Sequence, residues 1–392
     1  MKFRKIALYL FLFAITAFLY HRLTMELRFF NVTPEFELPQ QVTIPYGLDS
    51  ISARSCGTCH SEVYEEWKKS IHSQAWTDPY FQVDFIFDGS QQICLNCHTP
   101  LVDQQENLVT GFKDAAKFEP ILEPNPNFDK ALKDEGVTCA VCHVKDGVIL
   151  GRYGIENDAH PVKADPAFSD GNSVCRKCHQ VFTNRWDTFL KMPLCGTFFE
   201  VEASGKPVDC QQCHMEKVER ALIPGGPVRL GGKHLWLGGH DQANVAKAIS
   251  GKIEETSTEE TIKDGKREYT LFLTNTGAHH RLPTGTPDRH LEITFRLLDK
   301  TGKPLKEIKH ILQRVILWRP FMVDLWDTRI PFNETAKYSF KFESDITPEP
   351  AVVEATVRYG LLRESRRLRI GYENSEPITY PILNLRSEVG GR

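Results

Sequence analysis

The sequence predicts three parts: an apolar N-terminal membrane helix, a mainly α and irregular region over residues 51–250, and an all-β antiparallel sandwich over 251–392. Three observations predict this. Lys2, Arg4 and Lys5 precede an apolar run from Ile6 to Tyr20. Five copies of C-x-x-C-H then arrive at intervals of 35 to 45 residues. From about residue 251 cysteine vanishes and apolar residues recur with period two, the signature of half-buried strands.

A basic flank followed by an apolar stretch is an export signal. No small-x-small cleavage site follows, and Tyr20, His21 and Arg22 close the run, so residues 1–22 read as a signal anchor, with a cleaved signal peptide as the alternative. Residues 23–50 read as a linker, since Asn31 to Pro45 holds three prolines and little periodicity. The remainder is expected to be exported and membrane-anchored, facing the periplasm or the cell exterior.

The motifs are Cys56-Gly-Thr-Cys59-His60, Cys94-Leu-Asn-Cys97-His98, Cys139-Ala-Val-Cys142-His143, Cys175-Arg-Lys-Cys178-His179 and Cys210-Gln-Gln-Cys213-His214. C-x-x-C-H is the attachment signature of c-type haem. The two thiols add to the haem vinyl groups and the adjacent imidazole binds the iron. On a helical turn positions i, i+3 and i+4 share a face, so both sulfurs and the histidine reach one porphyrin. Structural zinc would use paired C-x-x-C knuckles, four ligands per metal; five knuckles are odd in number, and zinc gives no reason for the histidine after each. A dithiol redox motif would occur once, beside a βαβ pattern. Five covalently attached haems are therefore expected over residues 51–250, with proximal ligands His60, His98, His143, His179 and His214. So many porphyrins in so little polypeptide should supply much of the core. Ten of the eleven cysteines are used in this way, leaving Cys195 as a small apolar residue without a disulfide partner in the chain. The net charge of −3 offers no basic field for nucleic acid.

Beyond residue 251, Leu291, Ile293, Phe295 and Leu297 alternate with polar residues and are followed by a turn at Asp299 to Gly302. Tyr338, Phe340 and Phe342 alternate likewise, as do Val353, Ala355, Val357 and Tyr359. Tyr269–Asn275, His310–Trp318 and Ile378–Ile382 complete six or more short strands, the pattern of an antiparallel sandwich.

Candidate sixth (distal) iron ligands come from the other histidines. His72 follows the first motif in Trp67-Lys-Lys-Ser70-Ile-His72, and His160 stands before Pro161 ahead of the fourth motif. His234 and His240 flank a Gly-containing stretch that lets backbone approach a porphyrin. His280, with His279 as its substitute, precedes Arg281-Leu-Pro283-Thr-Gly285. His21, His290 and His310 read as a membrane flank, an Arg-rich turn and a strand surface. Which distal histidine serves which haem stays open. Met192 and Met215 are the methionines near the motifs, and Met215 is too close to His214 to reach the far side of the same haem.

The first motif followed by Tyr64, Trp67, Ser70 and His72 resembles the opening of multihaem cytochromes of the cytochrome c-554 type. Glu135-Gly136-Val137 before the third motif and Met215 after the fifth are similar too, and Gly239-His240-Asp241 and the His280 segment resemble distal-ligand segments of relatives with a C-terminal β-domain. The resemblance covers roughly residues 51–290. It implies distal ligation by histidines outside the motifs and closely packed haems that pass electrons singly.

The function expected is electron transfer between a quinol-oxidising donor and a terminal reductase or extracellular acceptor, with no catalytic residue of its own. One alternative is an oxidoreductase acting on nitrogen or sulfur oxyanions at one open haem; all five motifs ending in histidine count against it. Another is a quinol dehydrogenase of the NapC/NirT kind, to which the proline-containing stretch before Cys56 and the β-domain are poorly suited. Assembly into a filament is neither favoured nor opposed by the sequence.

Overall fold

A computed structural model describes residues 2–24, 39–113, 120–169, 172–179, 196–205, 208–317 and 323–390. Helix α1 (Lys2–Thr24) is longer than the apolar run within it, and its apolar side chains are exposed. At 1.5 Å per residue its length is about 34 Å, against a hydrocarbon thickness of about 30 Å. It is long and apolar enough to cross a membrane, and by the same measure fits a signal sequence. Of the expected linker, residues 25–38 lie outside the described residues. From Gln40 the chain is docked: its N–H donates to Pro100 O (2.7 Å), its side chain donates to Val144 O (3.0 Å), and Val42 is buried.

The motif region is built from short helices and loops. Helices α2 (Ala53–Gly57), α3 (Ser61–Lys68), α4 (Pro79–Phe87), α5 (Gln92–His98), α6 (Lys130–Asp134), α7 (Cys139–His143), α8 (Ser173–His179), α9 (Thr197–Ala203) and α10 (Cys210–His214) carry or flank the motifs. In the interval after the second motif, Asn107–Phe112 and Pro120–Pro124 pair as an antiparallel ribbon. The aliphatic cluster of this half is small, comprising Val42, Ile51, Leu101, Leu132, Ala140, Val141 and Val144.

The C-terminal half is a two-layer sandwich of eight strands: β1 (Ile249–Glu255), β2 (Lys266–Asn275), β3 (His290–Asp299), β4 (Pro304–Leu317), β5 (Val323–Asp327), β6 (Thr335–Glu343), β7 (Pro350–Gly360) and β8 (Thr379–Glu388). One sheet has the order β5-β4-β3-β7-β8 and the other β6-β2-β1. Every pairing is antiparallel. Leu291, Ile293, Phe295 and Leu297 all point inward, facing Phe340 and Phe342 from the other layer. The six expected segments all fall on strands, with Ile378 just before β8 and Trp318 outside the described residues. Strands β1 and β5 were not expected: Ser250-Gly-Lys-Ile-Glu-Glu shows a single interior aliphatic, and β5 is a short edge strand with an exposed Trp326. The sandwich thus begins at Ile249. His290 lies in β3 rather than in a turn and is buried, its ring filling the space a side chain would need at Gly360.

Candidate haem-binding site

Four motifs end on the last residue of their helix, and in the first His60 caps the following helix α3. The first and third motifs share a cap. Glu135 accepts hydrogen bonds from the N–H of Ala53 (2.7 Å) and Arg54 (3.3 Å) and from Thr138 Oγ1 (2.8 Å). A carboxylate at a helix N-terminus satisfies orphan donors and suits the helix dipole.

All ten motif cysteines, the five motif histidines and His72, His160, His234, His240 and His280 line one cavity of ≈ 2660 Å³. Small-molecule pockets measure about 300–1,000 Å³, so this one has room for several large ligands. Thiols of different motifs meet there: Cys56 with Cys139, Cys97 with Cys178, and Cys175 with Cys210 are hydrogen-bonded.

The histidines are set up as neutral nitrogen ligands. Nδ1 of His60 lies 3.0 Å from Leu222 O, that of His98 2.5 Å from Ala75 O, that of His143 2.7 Å from Leu150 O, and that of His214 2.6 Å from Leu237 O. A carbonyl oxygen only accepts, so each Nδ1 donates and Nε2 is the nitrogen left to face a metal, the arrangement metal-bound histidines use. His234 and His280 hold Nδ1 in the same way, on Gly232 O (3.0 Å) and Arg281 O (2.9 Å). At several of the cavity histidines burial opposes protonation. It brings His72 down to about 3 and His98, His234 and His240 down to about 4, and it lowers His143, His179 and His280. These residues fit covalently held haem: paired thiols, an oriented imidazole beside them, and an apolar chamber.

The histidines also come together in pairs, their rings tilted to one another by 37° to 55°. Ring centroids of His60 and His160 are 6.4 Å apart, those of His72 and His179 6.3 Å, and those of His143 and His234 6.2 Å. A metal–imidazole bond of about 2.0 Å on each side, plus about 1.2 Å from nitrogen to ring centre, separates two axial imidazoles by about 6.4 Å. Among the described residues neither His214 nor His98 has a second imidazole at this spacing. His280 lies within electrostatic reach of His214. Phe81 stacks on His98 at 3.5 Å. His240 shares with it the field of Asp78, and its Nε2 accepts from Arg289 at 3.0 Å.

The distal candidates are held by devices the sequence did not announce. His72 is not on a helix, for α3 ends at Lys68. Its carbonyl accepts from Val137 N–H (2.9 Å), while Trp67 Nε1 donates to Val137 O (2.8 Å). Gly136, at φ +60°, allows this approach, since a Cβ there would meet His72 O at 2.8 Å. His160 sits beside Gly47 (φ +87°), where a Cβ would strike Ala159 O at 2.0 Å. His234 N–H donates to Glu66 (2.8 Å), itself gripped by Arg220 through two bonds of 2.6 and 2.8 Å. His279 stacks on Phe332 at 3.8 Å and also lines the cavity. His21, His290 and His310 do not line it. Cys195 and Met192 lie outside the described residues.

Trp236 is a further functional residue the sequence did not single out. Its ring sits edge-on to His72 (4.7 Å) and to His234 (5.0 Å), and its backbone has φ +42°, a costly conformation for a non-glycine residue. One side chain thus positions two distal candidates. Trp236→Ala is expected to change the low-temperature EPR signals of two haems together and leave the others unchanged; a change in one alone would count against the shared support.

Residues 55–121 match the family described as "Cytochrome c554 and c-prime". No curated protein matches the chain. Among solved structures, the penta-heme cytochrome c552 from Thermochromatium tepidum superposes with a TM-score of 0.63 at 20% identity, covering 86% of this chain and 99% of that one. The structural-genomics target SoR45 (17% identity, 38% of this chain, 91% of that one) and the putative ApaA protein from Bordetella pertussis (13%, 35%, 90%) superpose at a TM-score of 0.18 and carry no argument.

Proposed function

We propose that this chain, a multihaem c-type cytochrome similar over residues 55–121 to the cytochrome c554 family, carries five haems and passes electrons between redox partner proteins. The observation that carries this reading is the set of three imidazole pairs whose ring centres are separated as two ligands of one iron would be. We assign His60 with His160, His143 with His234, His179 with His72 and His214 with His280; His240 is the remaining candidate for His98. Bound haem supplies reversible one-electron exchange at iron. The chain's own residues do the rest. The cysteines Cys56, Cys59, Cys94, Cys97, Cys139, Cys142, Cys175, Cys178, Cys210 and Cys213 anchor the groups, and the thiol contacts between motifs 1 and 3, 2 and 4, and 4 and 5 bring their edges together. The distal histidines leave iron without a free site, and nitrogen on both sides keeps potentials below those of His/Met haems.

The exported location, the membrane attachment through α1, a quinol-oxidising donor and a terminal reductase or extracellular acceptor complete the proposal. A second reading, an oxidoreductase with one open haem acting on nitrogen or sulfur oxyanions, is favoured by one observation, that among the described residues His98 and His214 have no second imidazole at the spacing of the other three pairs. Haem quantification with low-temperature EPR, before and after reduction and addition of carbon monoxide or nitric oxide, tests both. Five low-spin haems indifferent to gas are expected. One stoichiometric high-spin haem that binds gas would transfer the case to the second reading, and fewer than five haems would overturn the count.

A further inference from the structure

The β-sandwich sends arginines into the cavity beside the second motif. Arg289 lies just before β3, Arg363 caps helix α11 (Glu364–Ile370), and Arg366 and Arg369 lie on it. They are tied to the second motif through α4, whose Phe81 stacks on His98 and whose Asp84 pairs with Arg366 at 2.6 Å.

The charges do not balance locally. Arg366 is occupied by Asp84 and, at 3.4 Å, by Asp88. Arg363 has the Gln313 side chain at 2.8 Å and Asp288 only at 3.9 Å. Arg289 and Arg369 have no carboxylate within 4.0 Å among the described residues. Arg289 Nη1, Arg363 Nε and Arg366 Nε are buried with no hydrogen-bond acceptor. Guanidinium nitrogens withdrawn from water without an acceptor, as on Arg289 and Arg363, are costly, while Arg369 is exposed and able to turn toward a ligand; guanidinium geometry suits carboxylates. Arg289 also donates to His240 Nε2, the lone pair iron would take under the ligation proposed above. Once iron has it, Arg289 needs another acceptor.

We propose that Arg289, Arg363 and Arg369 hold the propionate carboxylates of the haem carried by Cys94 and Cys97. The β-sandwich thereby completes that haem's pocket and raises its potential, because a nearby cation favours the added electron. A haem brings two carboxylates, and two of these arginines lack one. A free oxyanion has the same chemistry and is the competing occupant. The inference rests on the five-haem reading.

The test is a potentiometric titration of the full-length holoprotein followed by EPR, with Arg289→Gln, Arg363→Gln, their combination and Arg289→Lys, folding being checked by circular dichroism. In the double glutamine variant the reduction equilibrium of one haem should fall about tenfold, 59 mV for a one-electron couple. That haem should be the one whose EPR signal changes in His240→Ala. Arg289→Lys should retain most of the wild-type potential. Unmoved potentials in a folded five-haem double variant would overturn the inference alone. So would a potential shift on adding nitrite or phosphate to wild type that the variant loses, since the site would then take a free oxyanion. Absence of haem from the second motif of wild type would instead remove the underlying reading.

Discussion

Arg329→Ala is expected to destabilise the folded chain by about 3–5 kcal/mol, the cost of leaving a buried carboxylate without its partner. Arg329 Nη1 bonds Glu200 at 2.7 Å, and the two side chains are only 3% and 4% exposed. Its other nitrogens grip Asp327 at 2.7 and 2.9 Å. Glu200 is on α9 in the motif region, and its second oxygen accepts from Arg281 N–H (3.1 Å) and Thr284 Oγ1 (2.7 Å), the segment that carries His280. This carboxylate therefore locks the two halves together and fixes one distal candidate. Arg329→Ala should lower the denaturation midpoint and also loosen the haem facing His280, giving a partial high-spin signal. Replacing both partners, as in Glu200→Met with Arg329→Met, should recover much of the loss, because no isolated charge is then left at Glu200. Burial opposes the ionisation of Asp327, yet Arg329 outweighs it and holds the carboxyl below its usual range. A depressed carboxyl gives stability that is present above the unfolded value of about 4 and lost as pH falls through the folded one, so acid should weaken wild type more steeply there than the Arg329 variants. A cost below about 1 kcal/mol, typical of an exposed pair, would show that the lock lies elsewhere.

The two halves of the molecule were legible in the sequence to different degrees, for a physical reason. Strands of a sandwich advertise themselves because one face is wet, so Leu291 to Leu297 and Val353 to Tyr359 alternate visibly. Strands β1 and β5 were missed because they are peripheral and their inward positions are few. In the motif region the covalent chemistry fixes the local pattern, and each C-x-x-C-H could be read directly. What holds the motifs together could not, because it is largely backbone. The acceptors that orient the motif histidines are the carbonyls of Leu222, Ala75, Leu150 and Leu237, and a carbonyl leaves no residue signature. Gly136 and Glu135 left a faint one: the glycine for a left-handed turn against His72, the carboxylate for the shared helix cap. The pairing of distal with proximal histidines was illegible for a topological reason. His72 follows His60 closely in the chain but its ring lies 6.3 Å from that of His179, while the ring of His60 lies 6.4 Å from that of His160.

That crossing makes His72→Ala the more discriminating experiment. Its expected result is the conversion of one low-spin haem in five to a high-spin, carbon-monoxide-binding haem, with covalent haem content unchanged because no thiol is touched. Proximity in sequence would assign the change to the first motif; the 6.3 Å separation from His179 assigns it to the fourth. The two assignments separate when the fourth haem is removed by Cys175→Ser with Cys178→Ser. In that background His72→Ala should add no new high-spin signal, whereas His160→Ala should still produce one, from the haem at His60. Added imidazole should return the His72→Ala protein to low spin by entering the space the side chain left, provided the Val137 and Trp67 contacts keep the loop in place. A His72→Ala spectrum identical to wild type would remove His72 from the ligand set. A high-spin signal that persists without the fourth haem would keep the ligand but break the pairing with His179.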